Sequence, residues 1–323
     1  MPAHRFWGRG PTVALVLVAL ILAALPAVAA DKVIVLTALQ STYSIAHALA
    51  KDTAIEVQAG FPADIGMDQQ SAWLSQRQRR DFIAAAKRAD AVVTIRRVWD
   101  ADPLFPASRA LNIRVVEIDA STPFAPELAG VALVQLGKDG IPVSNDRPGT
   151  VSPYIWLNPI NAIRMTDIVA ADLRRLSEAD AATIDRNQQA FRAALITLKA
   201  EFDAKLAEID DPSVISLSSD LAYLTTGLGV DVAAFFPKSD YDWTDADAKA
   251  LVDKMTASKV VAVIAPRKPK DSTAAAIAAA GGHLAVLNLM DPGIADADGK
   301  LEPDGLIQAM RSNLDQILSV LKP

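Results

Sequence analysis

Residues 180–209 read DAATIDRNQQAFRAALITLKAEFDAKLAEI, and this stretch decides the fold. Ile184, Phe191, Leu195, Leu198, Phe202, Leu206 and Ile209 recur at spacings of three, four and seven, which puts them on one stripe of an α-helix. At a rise of about 1.5 Å per residue such a helix would run about 45 Å, long enough to cross a whole domain. A second helical pattern precedes it from Asn161, with Ile163, Ile168, Leu173 and Leu176 as its stripe. Ser177 to Asp180 can cap the junction between the two.

Short apolar runs alternate with helical patterns on both sides of this block. On the amino side, strands are predicted over Lys32–Thr37, Ile55–Ala59, Ala91–Ile95 and Arg114–Ile118. Helices are predicted up to Ala50 and over Arg77–Ala89, and Pro62–Gln70 reads as a polar loop. On the carboxyl side, strands are predicted over Val214–Leu217, Val230–Phe235, Val260–Ala265 and Leu284–Leu289. Helices are predicted near Leu221–Thr226, over Ser272–Ala280 and over Gly305–Leu321. Alternation at this pitch implies parallel sheets covered by helices. The fold class is therefore α/β: two Rossmann-like lobes with parallel sheets, joined by a long backbone helix. Boundaries are expected at 1–30 for a signal peptide, 31–160 for the N-terminal lobe, 161–210 for the linking helices and 211–323 for the C-terminal lobe.

The signal peptide is read from Arg5 and Arg9, an apolar run from Thr12 to Leu25, and the small residues Ala27 and Ala29 just before Asp31. The run is shorter than the roughly 20 residues a membrane span needs, so secretion to the periplasm is expected. Without Arg5 and Arg9 the formal charge of −6 becomes −8. That balance argues against nucleic acid or anionic lipid as a partner. The chain has no cysteine, which removes disulfides and thiolate metal sites.

Residues 152–159, Ser-Pro-Tyr-Ile-Trp-Leu-Asn-Pro, resemble a segment of the periplasmic solute-binding proteins that deliver zinc or manganese to ABC importers. That family's stretch reads Asp-Pro-His-x-Trp-x-Asp-Pro, and its His is a metal ligand. Ala89-Asp90-Ala91-Val92-Val93, the helix start at Asn187–Ala194 and Met310-Arg311-x-Asn313-Leu314-Asp315 resemble further family segments in the same order. The resemblance implies two lobes on a rigid helix, a metal held between them, a membrane permease as partner and a monomeric receptor.

It also implies a ligand set that this chain has largely exchanged. Tyr154 stands at one His position and Ser218 at about another, in Ser216-Leu217-Ser218-Ser219-Asp220. The loop Ala63–Gln76, which should supply a third His, offers Asp64, Asp68 and Trp73 instead. Asp291, before Pro292, is the ligand that carries over. The expected metal donors are thus Asp291, Tyr154, Asp68 and Asp64, with Ser218, Asp220, Trp73 and Arg77 as further ligand-binding residues. For Asp64 and Asp68 a solvated loop is the alternative, for Asp291 an Asp-Pro turn, and for Ser218 a helix cap.

Only His4, His47 and His283 are present, and none matches a ligand position, whereas zinc wants three or four N or S donors. Oxygen donors suit hard cations such as manganese, calcium, iron or a lanthanide. Aromatic and polar groups could equally hold a whole metal–chelator complex. Arg77, Arg79 and Arg80, and Arg96 with Arg97, are either solvated helix faces or grips for an anionic chelate.

The leading reading is an extracytoplasmic solute-binding protein of an ABC importer, carrying a metal ion or metal chelate between its lobes. The alternative is a periplasmic accessory or metallochaperone-type protein that binds a protein partner. No enzyme is expected, because nucleophile elbow, phosphate loop and zinc-protease motifs are all missing from the sequence.

Overall fold

The computed structural model describes residues 1–2, 32–76, 79–143, 149–239 and 242–322. The expected signal peptide falls on residues outside this set, apart from Met1 and Pro2. Among the described residues, no helix is long and apolar enough to cross a membrane.

Strand β1 (Val33–Thr37) buries Ile34, Val35 and Leu36. A strand apolar on both faces needs cover on both, which parallel strands gain from their connecting helices. β1 pairs in parallel with β2 (Ile55–Ala59) and β3 (Ala91–Thr94). β4 (Val116–Asp119) completes a sheet of order β2-β1-β3-β4. Its helices are α1 (Gln40–Ala50), α2 (Met67–Leu74), α3 (Arg80–Arg88) and α4 (Leu104–Leu111). α2 takes up the last four residues, Met67–Gln70, of the stretch read as a polar loop. Only Met67, Gln70 and Leu74 of it are buried, and the polar residues between them hide so short a stripe.

The irregular region that follows holds a small antiparallel sheet of β5 (Gln135–Leu136), β6 (Pro142–Val143) and β7 (Thr150–Val151). α5 (Pro159–Leu176) starts where the sequence dictates. The Asn158 side chain accepts the Ile160 N–H at 2.8 Å, and Pro159 supplies the preset φ of a first helical residue.

α6 (Ala181–Leu206) is the linking helix. Its 26 residues span about 39 Å at 1.5 Å per residue. It stops short of the expected Ile209 because the backbone tightens there. The Glu208 and Ile209 N–H groups bond to carbonyls three residues back, at Lys205 and Leu206. At the other end, Ser177 Oγ donates to Asp180 Oδ2 at 2.7 Å, fixing the expected junction.

The second lobe repeats the first lobe's plan. β8 (Ser213–Ser216), β9 (Asp231–Phe235), β10 (Ala262–Ala265) and β11 (His283–Val286) form a parallel sheet of order β11-β10-β8-β9. Counted from its own first strand, each sheet reads 2-1-3-4. The intervening helices are α7 (Ala222–Leu228), α8 (Asp245–Ser258) and α9 (Asp271–Ala279), and α10 (Gly305–Leu321) closes the chain. α8 was absent from the sequence reading. Its entry carries a capping box, Thr244 with Asp247, which is a legible start signal.

One apolar core runs through both lobes, from Val35 and Val92 past Leu195 of α6 to Val214 and Ile264. α6 packs on α1 of the first lobe and α10 of the second. Gln40, at the start of α1, ties the lobes directly. Its Nε2 donates to the Glu302 carbonyl at 2.7 Å, and its Oε1 accepts the Ile294 N–H at 2.9 Å. Ser44 Oγ accepts the Leu306 N–H at 3.2 Å. Such ties favour a fixed angle between lobes over a wide hinge.

Candidate functional site

In a 2-1-3-4 sheet the connections change direction between the first and third strands, and ligands bind past the carboxyl ends there. The two lobes bring these ends together. A cleft of about 630 Å3 lies between them, lined by Asp64, Asp68, Trp99, Tyr154, Arg267 and Asp291, among others. Five of these side chains reach it from segments following parallel strands: Asp64 and Asp68 after β2, Trp99 after β3, Arg267 after β10 and Asp291 after β11, whereas Tyr154 follows the antiparallel β7.

Asp291 is the centre of the arrangement. Its Oδ1 accepts the Met67 N–H at 2.8 Å, and its Oδ2 accepts the Tyr154 phenol O–H at 3.1 Å. A second-lobe carboxylate therefore sits at the amino end of a first-lobe helix, where backbone N–H groups and the helix dipole favour negative charge. Asp68 occupies the same first turn of α2. Gly66 makes the approach possible: a Cβ there would lie 3.0 Å from Asp291 Oδ1 and 3.3 Å from Asp68 Oδ1.

Burial pushes the Asp291 carboxyl above its ordinary value. The Met67 and Tyr154 hydrogen bonds oppose this, while Asp68 and Asp220 reinforce it. Burial also drives the Tyr154 phenol up, with Asp291 and Asp220 adding to the effect.

The segment bearing Asp291 is pinned from α10. Asn313 Oδ1 accepts the Asn288 N–H at 2.7 Å, and Asn313 Nδ2 donates to the Asn288 carbonyl at 2.9 Å. Asn288 Oδ1 in turn accepts the Met290 N–H at 2.7 Å, holding Met290 at φ 62°. Beneath Tyr154, Trp156 is 1% exposed. The two rings meet edge-on with centroids 5.5 Å apart, and Trp156 Nε1 donates to the Leu289 carbonyl at 3.0 Å.

Ser218 and Asp220 do not line this cleft. They line an adjoining cavity of about 340 Å3 that shares Pro266 and Arg267 with it. Ser218 Oγ donates to Asp220 Oδ2 at 2.9 Å and accepts the Asp220 N–H at 3.1 Å, so it serves as the cap of the turn. Burial raises the Asp220 carboxyl, opposed by Ser218 and Arg267.

Other expected residues lie elsewhere. Trp73 stands edge-on to Phe61 with centroids 5.3 Å apart, packed on the core and not among the residues lining the cleft. Arg77 lies outside the described residues. Its neighbour Arg79 donates to the Leu74 carbonyl, closing the end of α2. Arg96 pairs with Glu117 at 2.8 Å and, with Arg97, lines a separate pocket beside Phe124. Arg267 and Trp99 were not singled out by sequence, and Asn313 entered only within the family-like segment Met310–Asp315, with no role at the site. Arg267 sits in an Arg-Lys-Pro-Lys run that reads as solvated loop.

Could these groups hold a metal ion? Asp68, Tyr154 and Asp291 are oxygen donors of the kind hard cations accept. Both Asp291 oxygens already accept protein hydrogen bonds, so direct ligation would displace Tyr154 or Met67. Among the described residues, no group of three or more His, Asp or Glu side chains forms a metal-holding set. The zinc chemistry of imidazole donors does not fit, since His47 and His283 are exposed, neither lines the cleft, and His283 stands at the amino end of β11, opposite the carboxyl end that faces the cleft.

The comparisons with known proteins agree with this architecture. No curated protein matches the chain significantly. Among solved structures, an FpvC mutant from Pseudomonas aeruginosa is 20% identical with a TM-score of 0.71, covering 90% of this chain and 99% of that one. A crystal structure of ZnuA is 17% identical with a TM-score of 0.66 over 90% and 99%. A mutant Mn-bound periplasmic metal-binding protein from Candidatus Liberibacter asiaticus is 16% identical, at 0.65 over 90% and 100%. These likenesses establish the two-lobed fold. Residues 35–320 match the model of the family described as zinc-uptake complex component A, periplasmic, and the chain belongs to that family of transport solute-binding proteins.

Proposed function

We propose that this chain is the extracytoplasmic receptor of an ABC importer, exported to the periplasm and delivering a metal cargo, free or complexed, from the cleft between its lobes. Family membership over residues 35–320 supports the class of function. The observation that carries the site is Asp291, which crosses from the second lobe to the Met67 N–H and meets Tyr154 in a cleft of about 630 Å3. Asp64 and Asp68 complete an oxygen-lined wall, so a hard cation such as manganese or iron suits the donors better than zinc. Related proteins have been solved with Mn2+ and Ni2+ bound, which supports a transition-metal cargo. The membrane permease is the expected partner and a monomer the expected state.

Native mass spectrometry of protein recovered from its own periplasm tests this. A mass increment containing a metal, lost in Asp291→Asn, is expected. A cleft that stays empty, in protein that responds to no metal or metal complex, would refute it.

A further inference from the structure

Resting on this metal-uptake reading, we propose that the cargo is a hard cation carried inside a carboxylate-bearing organic chelate. Arg267 anchors the organic anion, and the Asp68–Tyr154–Asp291 wall faces the metal side.

Three observations lead there. The first is size. The cleft of about 630 Å3 adjoins the cavity of about 340 Å3, with Pro266 and Arg267 lining both. Sites for small organic ligands span roughly 300–1,000 Å3, whereas a bare ion needs only an oxygen shell at roughly 2.0–2.6 Å.

The second is charge. Arg267 is exposed and lines both spaces, and among the described residues no carboxylate lies within ion-pair distance of its guanidinium. Lys238, the other cation of the smaller cavity, is already paired with Asp247 at 2.7 Å. A planar guanidinium reaching over both spaces matches the two oxygens of a carboxylate.

The third is the state of the donors. Asp291 accepts two protein hydrogen bonds, and Ser218 holds Asp220. The cleft thus offers one phenol, one aromatic wall at Trp99 and a few carboxylates. It is suited to contacting a ligand shell that arrives complete, since a chelate brings its own first-shell oxygens. A bare ion would demand rearrangement of the Asp291 contacts.

Isothermal titration of the full mature chain with MnCl2, ferric citrate and sodium citrate distinguishes the possibilities, using wild type, Arg267→Gln and Asp291→Asn. Ferric citrate is expected to bind wild type most tightly, and citrate alone at least tenfold more weakly. Arg267→Gln should weaken ferric citrate roughly ten- to hundredfold, the range of a charge-assisted contact, without weakening any response to MnCl2, because removing a positive charge from the cleft wall does not disfavour a bare cation. Because Arg267 is exposed and meets Asp220 only through longer-range charge attraction, its variant should unfold like wild type, and circular dichroism checks this. If MnCl2 binds wild type at least as tightly as ferric citrate, or if Arg267→Gln leaves ferric citrate binding unchanged, the chelate inference falls while metal uptake stands. Citrate binding as tightly as ferric citrate would also overturn it, marking a receptor for the anion alone. A wild-type chain that binds none of the three overturns both readings.

Discussion

Asp102 offers the sharpest quantitative test of the packing around the cleft. It lies in the segment after β3 that carries Trp99, and it is 1% exposed. Its Oδ1 accepts the Leu104 N–H at 2.9 Å, while its Oδ2 is buried without a hydrogen-bond partner. Burial moves this carboxyl from 3.8 to about 6, against the pull of the Leu104 and Ile95 backbone. Each tenfold change in proton affinity is about 1.4 kcal/mol, so the charged form costs the fold about 3 kcal/mol.

The sign follows from proton counting. Between pH 3.8 and about 6 the folded chain binds more protons than the unfolded chain, so this group's contribution to stability declines as pH rises through that window. Asp102→Asn keeps the acceptor for Leu104 and removes the titration. Urea unfolding at half-unit steps from pH 4 to pH 7 should show the variant gaining about 2 kcal/mol relative to wild type across that range, since at pH 4 part of the unfolded-state ionisation is already complete. Asp172, Asp220 and Asp291 are also raised, but they cancel in the difference between the two proteins. Parallel curves for wild type and Asp102→Asn would refute the reasoning.

Three further outcomes are expected. Leu195→Ala, at a fully buried position of α6, should cost about 2–5 kcal/mol in chemical unfolding; a loss under 1 kcal/mol would deny α6 its place in the shared core. Trp156→Phe strips the donor from the buried Leu289 carbonyl, and the unpaired acceptor should cost about 1–3 kcal/mol, read from the urea midpoint. Asn313→Ala frees the Asn288 backbone. Hydrogen exchange should then quicken at Asn288 and Met290 well beyond any change elsewhere, and unchanged protection there would remove Asn313 as the support of Asp291.

The scaffold was legible because its signals are long and redundant. Eight parallel strands are apolar runs with helices between them, and the stripe from Ile184 to Leu206 needs no partner to be recognised. Asp291 could be found because its Asp-Pro pair matches the ligand segment of the resembled family, and because it follows a strand, at the edge where open sheets gather ligands. What sequence could not supply were partners distant along the chain. Trp73 beside a polar loop reads the same whether it faces a ligand or Phe61. Arg96 and Arg97 also follow a strand, yet the pairing of Arg96 with Glu117 belongs to another pocket. Ser218 and Asp220 reach the ligand region only through a second cavity, whose existence depends on how the lobes close around Arg267. The matching strand orders of the two lobes are illegible in the sequence for a related reason: topology is shared by the sheets without being written in similar residues.

Anomalous diffraction from crystals grown with ferric citrate and, separately, with MnCl2 tests the central claim most directly. A metal peak inside the cleft bounded by Asp68, Tyr154, Arg267 and Asp291 is expected with at least one of them. Full-occupancy metal bound elsewhere, or crystals in which neither soak places an anomalous scatterer between the lobes, would contradict a metal-carrying receptor.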